Sequence, residues 1–359
     1  MIRRQAPSTE LTCVEICAGA GGQALGLEQA GFGHTAVVEI DPDACETLRM
    51  NRGSRWKIIE ADVADVNGAE FRGADLLAGG VPCPPFSVAG HQLGAADERD
   101  LFPEALRLTS EIGPRAVLLE NVRGLAARRF DGYRTQVVAT LADLGYQTWW
   151  QLMHASEHGV PQLRPRLVLV ALRHPWAPAF FWPVPSDAAP ATVGESVADL
   201  MAAGGWPGAA PWVARAHGIA PTIVGGSKKH GGPDLGPTRA RAAWRQLSVD
   251  GLGVADGPPD ASFPVEALPR LTTRMVARLQ GFPDSWQFAG RKTAAYRQVG
   301  NAFPPPVARA VGVAVAAALR ARPAAVTPGE EITRWRDWLD IEPVRPGQRS
   351  GYDVASMMR

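Results

Sequence analysis

Cysteine is scarce in this chain: four in 359 residues, Cys13, Cys17, Cys45 and Cys83, all in its first quarter and with no C-x-x-C pair among them. That usage argues against a disulfide framework and against a zinc site. It leaves reduced thiols and a reducing compartment, with Cys83 free to react. Long apolar runs are missing too. The longest candidate, residues 311–319, is short and alanine-rich and reads as a helix packed on a core rather than a membrane span. The opening MIRRQAP lacks the apolar stretch of a secretory signal. A cytoplasmic protein, without membrane or metal, is the expectation. An excess of charge is absent as well, since 37 Lys and Arg meet 36 Asp and Glu. A balanced total can still hide a basic face. No internal repeat is evident.

What is present is the composition of a soluble globular protein, 46% hydrophobic and 20% charged, long enough for two domains or for one large α/β domain with an insert. Short apolar runs at 12–17, 35–40, 57–61, 75–78, 116–120 and 166–171 read as strands. Helical periodicity fills 23–30, 43–51, 101–112 and 133–144 between them. Such alternation predicts βαβ units and a mostly parallel sheet, whose ligands bind at the carboxyl ends of the strands. After Trp182 the character changes. Residues 192–269 are rich in Gly, Pro and Ala and carry a basic stretch with Arg215, Lys228, Lys229, Arg239, Arg241 and Arg245. They read as a smaller, irregular domain. Helical period returns at 273–280 and 305–319. The expected division is 1–190 and 271–325 for the sheet domain, 191–270 for the insert, and 326–359 for a Pro- and charge-rich tail without an assigned role.

The unusual residues cluster at predicted strand ends. EICAGAGGQALG, residues 15–26, follows a strand and opens a helix, and its glycines at 19, 21 and 22 allow a sharp turn and a close ligand. The G-x-G-x-x-G spacing of a dinucleotide fingerprint fails, because position 24 is Ala. Glu39 and Asp62 end the next two strands. Either acid alone reads as a cap or solvated charge; together, behind a Gly-rich turn, they favour a nucleoside cofactor, with Glu39 on a ribose diol. PCPPFS follows the fourth strand and LLENVRG spans the end of the fifth. Cys83 by itself reads as a buried small hydrophobe ahead of a nucleophile. Glu120 closes an apolar run, so burial should raise its pKa. Gln162, Arg164 and Arg166 lead into a further strand, where alternate residues share a face. Each arginine could equally be an ion-pair partner at a sheet edge.

In order and wording these segments resemble the bacterial DNA (cytosine-5)-methyltransferases: the Gly-rich turn, PCPPFS, ENV, Q-L-R-P-R, LTTRMVARLQGFPDSW and RQVGNAFPPPVARAVG. The resemblance covers Cys13 to about Arg173 and Leu271 to about Gly312, broken where such enzymes carry a variable recognition region. It implies a Rossmann-like, S-adenosylmethionine-dependent methyltransferase sheet with a smaller irregular target-recognition domain. Cys17, Ala18, Gly19, Gly21 and Gly22 would hold S-adenosylmethionine, with Glu39 and Ile40 at the ribose, Asp62 and Val63 at the adenine, and Asn301 and Ala302 closing the methionine end. Cys83 would be the nucleophile, Glu120 would act at cytosine N3, Arg166 at O2, and Arg164 would support them. Ser87, Arg99, Thr222, Lys228, Lys229, Arg239 and Arg241 would meet double-stranded DNA. Three positions depart from the family pattern: Cys17 and Ile40 stand where larger aromatic residues are frequent, and Pro84 follows the nucleophile where Gln is frequent.

C5 of cytosine is a weak nucleophile, and adding a thiolate at C6 makes it enamine-like, which suits these residue types. The base would first leave the duplex stack. Three activities are compatible with this reading: methylation of cytosine in duplex DNA by a monomer accompanied by a restriction or defence system, methylation of tRNA by the same machinery, and a catalytically silent DNA-binding regulator. Intact Cys83, Glu120 and Arg166 and the sizeable insert favour the first.

Overall fold

The six apolar runs become strands, and a seventh strand joins them. In a computed structural model, whose described residues are 10–82, 100–225 and 234–321, the strands are β1 (Leu11–Ile16), β2 (Phe32–Glu39), β3 (Ile58–Glu60), β4 (Leu76–Gly79), β5 (Ala116–Val122), β6 (Tyr146–His154) and β7 (Pro165–Arg173). They form one sheet in the order β3-β2-β1-β4-β5-β7-β6. The pairs β1–β2, β2–β3, β1–β4 and β4–β5 are parallel, while β7 runs antiparallel to both β5 and β6. The predicted mostly parallel sheet is therefore present, with one reversed strand. β6 escaped the sequence reading because it is a half-buried edge strand, YQTWWQLMH, in which two tryptophans and two glutamines blur the alternation.

The helices of the sheet layers are α1 (Gly22–Gln29), α2 (Pro42–Arg52), α3 (Phe102–Ile112) and α4 (Asp131–Asp143). Local chemistry sets their starts and stops. Gly19 and Gly21 turn the chain out of β1 with φ of 54° and 80°, a backbone region that favours glycine. Asp41 caps α2 by accepting from the Asp43 and Ala44 N–H groups, and Pro42 opens the first turn. Gly113 ends α3 in the left-handed conformation.

Alternate strand residues feed opposite layers, as period-two geometry requires. Leu76, Ala78 and Leu118 enter one apolar cluster, and Leu77, Val117 and Leu119 the other, packed with Leu108 of α3 and Leu141 of α4. The first cluster is closed by α10 (Pro305–Arg320), after α5 (Val193–Ala202), α6 (Ala209–Arg215), α7 (Thr238–Gln246), α8 (Thr273–Leu279) and α9 (Lys292–Asn301). α1 lies directly on α10: a Cβ at Gly26 would strike the Pro305 carbonyl, and one at Gly312 would meet Leu27. Lys292–Arg320, taken as one stretch, is long and apolar enough by length and composition alone to cross a membrane. Two-thirds of its most apolar window is buried inside the protein (67%), as in a core helix, and Pro304 separates its two halves.

The insert holds α5, α6 and α7, joined by irregular chain, with only isolated bridges among its described residues. α5 begins with a reciprocal capping box between Thr192 and Glu195. One apolar cluster runs from Leu25 and Leu48 through Trp212, Ile223 and Trp244 to Val276 and Val299. The insert is thus rooted on α2, α8 and α9 by large buried side chains.

Candidate active site

From β1 the chain winds outward to β2 and β3 on one side and reaches β4 and β5 on the other. The carboxyl ends of β1 and β4 are therefore the point where the winding reverses, and a crevice opens there. It has a volume of about 360 Å³, within the range of small-molecule sites. Glu39 organises its rim: Oε2 accepts from the Gly19 N–H at 2.7 Å, and Oε1 from the N–H groups of Ile40 and Asp41 at 2.9 and 2.8 Å. One carboxylate thus ties the glycine turn to the end of β2. Glu15 forms part of the floor. It is wholly buried, with Oε2 3.2 Å from Nε2 of buried His34, while Oε1 has no protein partner. Burial raises the pKa of Glu15, and His34 opposes the rise.

The far wall is α9 and the turn after it, with Arg297, Gln298, Asn301 and Ala302 facing the crevice. Among the described lining residues four are carboxylates (Glu15, Glu39, Asp41 and Glu120) and one, Arg297, is a cation. An unpaired buried oxygen, a carboxylate-rich lining and room for a nucleoside fit a cationic nucleoside such as S-adenosylmethionine. When bound there it would rest on Glu39, Glu15 and Asn301 and supply an activated methyl group.

Glu120 links this crevice to the reacting end. Its Oε1 lies 2.7 Å from Arg166 Nε across the antiparallel β5–β7 pair, and both side chains are nearly buried. Burial is the largest influence on Glu120 and raises its pKa; Arg166 and, more remotely, Arg164 oppose it. The raised carboxyl anticipated from the sequence is present. The neighbouring Asn121 donates to the Val81 carbonyl at 2.8 Å, fixing the chain that leaves β4. The Leu101 N–H donates to the Pro82 carbonyl at 3.1 Å, so residues 82 and 101 meet. Asp100, held by the Tyr133 hydroxyl at 2.6 and 2.7 Å, caps the start of α3. Cys83, Ser87 and Arg99 belong to the segment between, outside the described residues, as do Lys228 and Lys229.

Arg164 does not face Glu120. It is completely buried, and its guanidinium donates to the carbonyls of Ile223 (2.6 Å), Gly300 (2.8 Å) and Ala302 (2.9 Å). Gln162 and Gln280 extend the junction: Gln162 Oε1 accepts from the Ile223 N–H, and Gln280 Nε2 donates to the Ala302 carbonyl. Backbones touch here, because a Cβ at Gly300 would collide with Gly225. Thr222 donates its hydroxyl to the Leu163 carbonyl. The two arginines of Q-L-R-P-R therefore divide the work, one at the site and one binding the insert to the crevice wall.

The remaining expected positions are more scattered. Ala18, Gly19, Glu39, Ile40, Asn301 and Ala302 line the crevice. Cys17, Gly21, Gly22, Asp62 and Val63 are not among its lining residues. Asp62 is exposed and caps a short turn through the Ala64 N–H, and Val63 is buried in the core. Cys17 adopts a left-handed φ of 50°, and burial pushes its thiol up to about 12. Arg239 and Arg241 lie on α7, Arg239 exposed and Arg241 half-buried.

Comparison with known proteins bears on this architecture. The family model for C-5 cytosine-specific DNA methylase matches residues 11–207 and 224–317. The chain belongs to that family. This methylase is 61% identical over 313 residues to the Type II methyltransferase M.NaeI of Lentzea aerocolonigenes, covering 86% of this chain and 75% of that one. It is 51% identical over 313 residues to the Type II methyltransferase M.NgoMIV of Neisseria gonorrhoeae, covering 87% and 99%. Solved structures share its Rossmann-like methyltransferase fold at low identity. Spodoptera frugiperda DNMT2 superposes with a TM-score of 0.58 at 16% identity over 84% of this chain and 98% of that one. Entamoeba histolytica methyltransferase EhMeth does so with 0.60 at 12% over 86% and 98%. The methylase is thus a DNA (cytosine-5-)-methyltransferase.

Several lining residues carried no expectation from sequence, Glu15, Gln23, Arg297 and Gln298 among them. Glu15 begins the glycine-turn motif and Arg297 and Gln298 begin the last one, so the signal was adjacent. What was missing was the face each presents, which depends on how α9 docks.

Proposed function

We propose that the enzyme transfers the methyl group of S-adenosylmethionine to C5 of a cytosine flipped out of a specific duplex sequence, through a transient bond between Cys83 and C6. The observation that carries this reading is the buried Glu120–Arg166 pair, with Glu120 lining the crevice beside Gly80 as the chain leaves β4 toward Cys83. The Cys83 thiolate adds to C6, and the C5–C6 π pair shifts toward N3 and O2. Glu120, whose pKa burial raises, gives a proton to N3 from its protonated form, and an Arg166 N–H donates to O2. C5 then takes the methyl group as the S–CH3 bond of the sulfonium breaks and a neutral thioether leaves. N3 returns its proton to Glu120, the C5 proton passes to water, and the C6–S bond breaks to expel the Cys83 thiolate as the C5–C6 double bond re-forms.

Residues 1–190 and 271–325 make up the catalytic part in this reading, and 191–270 the recognition part. Thr222, Lys228, Lys229, Arg239 and Arg241 meet DNA there, while Ser87 and Arg99 meet it from the 83–99 segment. The Type II names of the relatives favour a cytoplasmic restriction-modification role. The decisive test is Cys83→Ala, which should abolish methylation of duplex DNA while cofactor binding persists. Wild-type enzyme should form a covalent adduct with 5-fluorocytosine duplexes. Normal turnover by the variant, or methylation of tRNA at a rate equal to that of DNA, would overturn the reading. Bisulfite sequencing of DNA from expressing cells then reads the modified cytosine and its context.

A further inference from the structure

We propose that Arg123 and Arg128 grip successive phosphates of the DNA strand that carries the target cytosine, Arg123 the one nearest the extruded nucleotide. The inference rests on the DNA reading above and adds to it a backbone contact on the catalytic part of the chain. Its starting point is where β5 reaches the surface. The last residue of that strand, Val122, stands opposite Arg166 in the β5–β7 register and is exposed. Arg123 follows at once, three residues and about 10 Å of chain beyond Glu120. A base lifted out of the stack into reach of Glu120 stays tied to its own phosphates. The backbone of that strand must therefore cross the rim on which Arg123 stands.

The rim is built to hold an anion. Residues 121–130 contain three arginines and no acid. Arg123 and Arg128 are exposed, and neither has a hydrogen-bond or ion-pair partner among the described residues. By contrast Arg49, Arg52, Arg107 and Arg115 of the same domain each meet a carboxylate. Arg129 lies over the Phe130 ring, 5.0 Å from its centre, and has no part in the proposal. The backbone beneath is braced. Two short 3₁₀ turns, Arg123–Ala126 and Arg128–Phe130, are pinned by Leu125, which is fully buried against the sheet. Buried Arg134 of α4 donates to the carbonyls of Leu125 at 2.5 Å and Ala127 at 3.4 Å. Arg134 also pairs with Asp131, the first acid after the run, which leaves Arg123 and Arg128 without a neutralising neighbour in sequence. Two uncommitted guanidiniums thus stand on a backbone fixed before any ligand arrives. Their planar fork matches phosphate oxygens, and such contacts place a duplex without reading its sequence.

The test pairs protein variants with backbone-modified DNA, read by fluorescence anisotropy of the full-length enzyme with S-adenosylhomocysteine present. The duplexes carry the context found by bisulfite sequencing, with a neutral methylphosphonate replacing one phosphate at a time around the target cytosine. Wild type should lose roughly 10-fold or more in affinity at the phosphate that Arg123 contacts, the range for hydrogen bonds to a charged group. Arg123→Met should lose about as much on the unmodified duplex, and the same methylphosphonate should then cost it less than about twofold. Arg128→Met should behave likewise at the next phosphate along the strand. Each variant should reduce the slope of log K against log salt by about 1, and Arg123→Lys should keep that slope while losing part of the affinity. Affinity for S-adenosylhomocysteine alone should match wild type in all three, which shows that the fold is intact.

A methylphosphonate penalty undiminished in a variant would overturn the assignment of that arginine. So would an unchanged affinity and salt slope. A wild-type enzyme indifferent to every methylphosphonate next to the target cytosine would overturn the proposal alone. Wild type that binds no duplex in the presence of S-adenosylhomocysteine would overturn the DNA reading and the contact with it.

Discussion

Glu120 shows how a single side chain acquires its chemistry from its surroundings. An ordinary glutamate would be ionised at neutral pH, but burial raises this one and the 2.7 Å contact with Arg166 only partly offsets the rise. If its protonated form serves N3, the sign of the pH dependence follows. kcat/KM should fall as pH rises through the raised Glu120 pKa, whereas deprotonation of the Cys83 thiol acts in the opposite sense. A bell-shaped profile is expected, and Glu120→Gln should remove the limb due to Glu120. That variant should also lose about 10²- to 10⁴-fold in rate, the usual worth of a positioned acid. Initial rates of methyl transfer across pH check both. The carboxyl's elevated pKa was legible in the sequence, because an acid at the end of Ala116-Val-Leu-Leu119 has little but apolar company. The role of Arg164 was not. Only folding shows that it turns toward three carbonyls, two of them more than a hundred positions away.

Between elements, the tightest dependence is of α1 on α10. Gly26 sits mid-helix, where alanine would ordinarily gain about 1 kcal/mol of helix propensity. Here a Cβ would strike the Pro305 carbonyl and lie 2.6 Å from Ala308 Cβ. Overpacking of this kind costs about 1–3 kcal/mol, so Gly26→Ala should be destabilising or at best neutral despite the propensity. A lowered urea midpoint relative to wild type is the expected result. The second dependence is the Arg164 junction of β7, the 222–225 segment and the turn after α9. Arg164→Met removes the guanidinium donor from the Ile223 and Gly300 carbonyls, while the Ala302 carbonyl keeps Gln280, and each carbonyl left unpaired is worth about 1–3 kcal/mol. It should cost roughly 2 kcal/mol or more in urea unfolding. Strands β1, β2, β4, β5 and β7 were readable because their apolar runs are long and end in turn residues. β6 was not, being an edge strand. α9 was missed because KTAAYRQVGN ends in Gly-Asn and carries little apolar period; its ten residues are held by what they pack against.

At the scale of the molecule, a net charge of +1 conceals how charge is distributed. The crevice gathers acids, while arginines stand on α7 in the insert. If α7 approaches DNA phosphates, duplex affinity should fall steeply with salt. Alanine at Arg239 or Arg241 should then reduce the slope of log K against log salt by about 1 each. Fluorescence anisotropy over a salt series measures it, and an unchanged slope removes α7 from the interface. The apolar cluster joining Leu48, Trp212, Trp244 and Val276 roots the insert on the catalytic helices. Composition marked the insert as different, but not how it is anchored.

The sequence by itself determined the alternation of six strands with the sheet helices, the glycine turn, the acids at strand ends and the family. These are local facts: hydrophobic period, backbone freedom at glycine, and motifs a few residues long. Tertiary structure decided which side of each residue matters. It drew Glu39 onto the glycine turn, set Glu120 against Arg166, turned Arg164 away to the junction, and faced Arg297 into the crevice. Such choices depend on groups tens to hundreds of positions apart, and burial and hydrogen-bond satisfaction act on them only once the chain has closed.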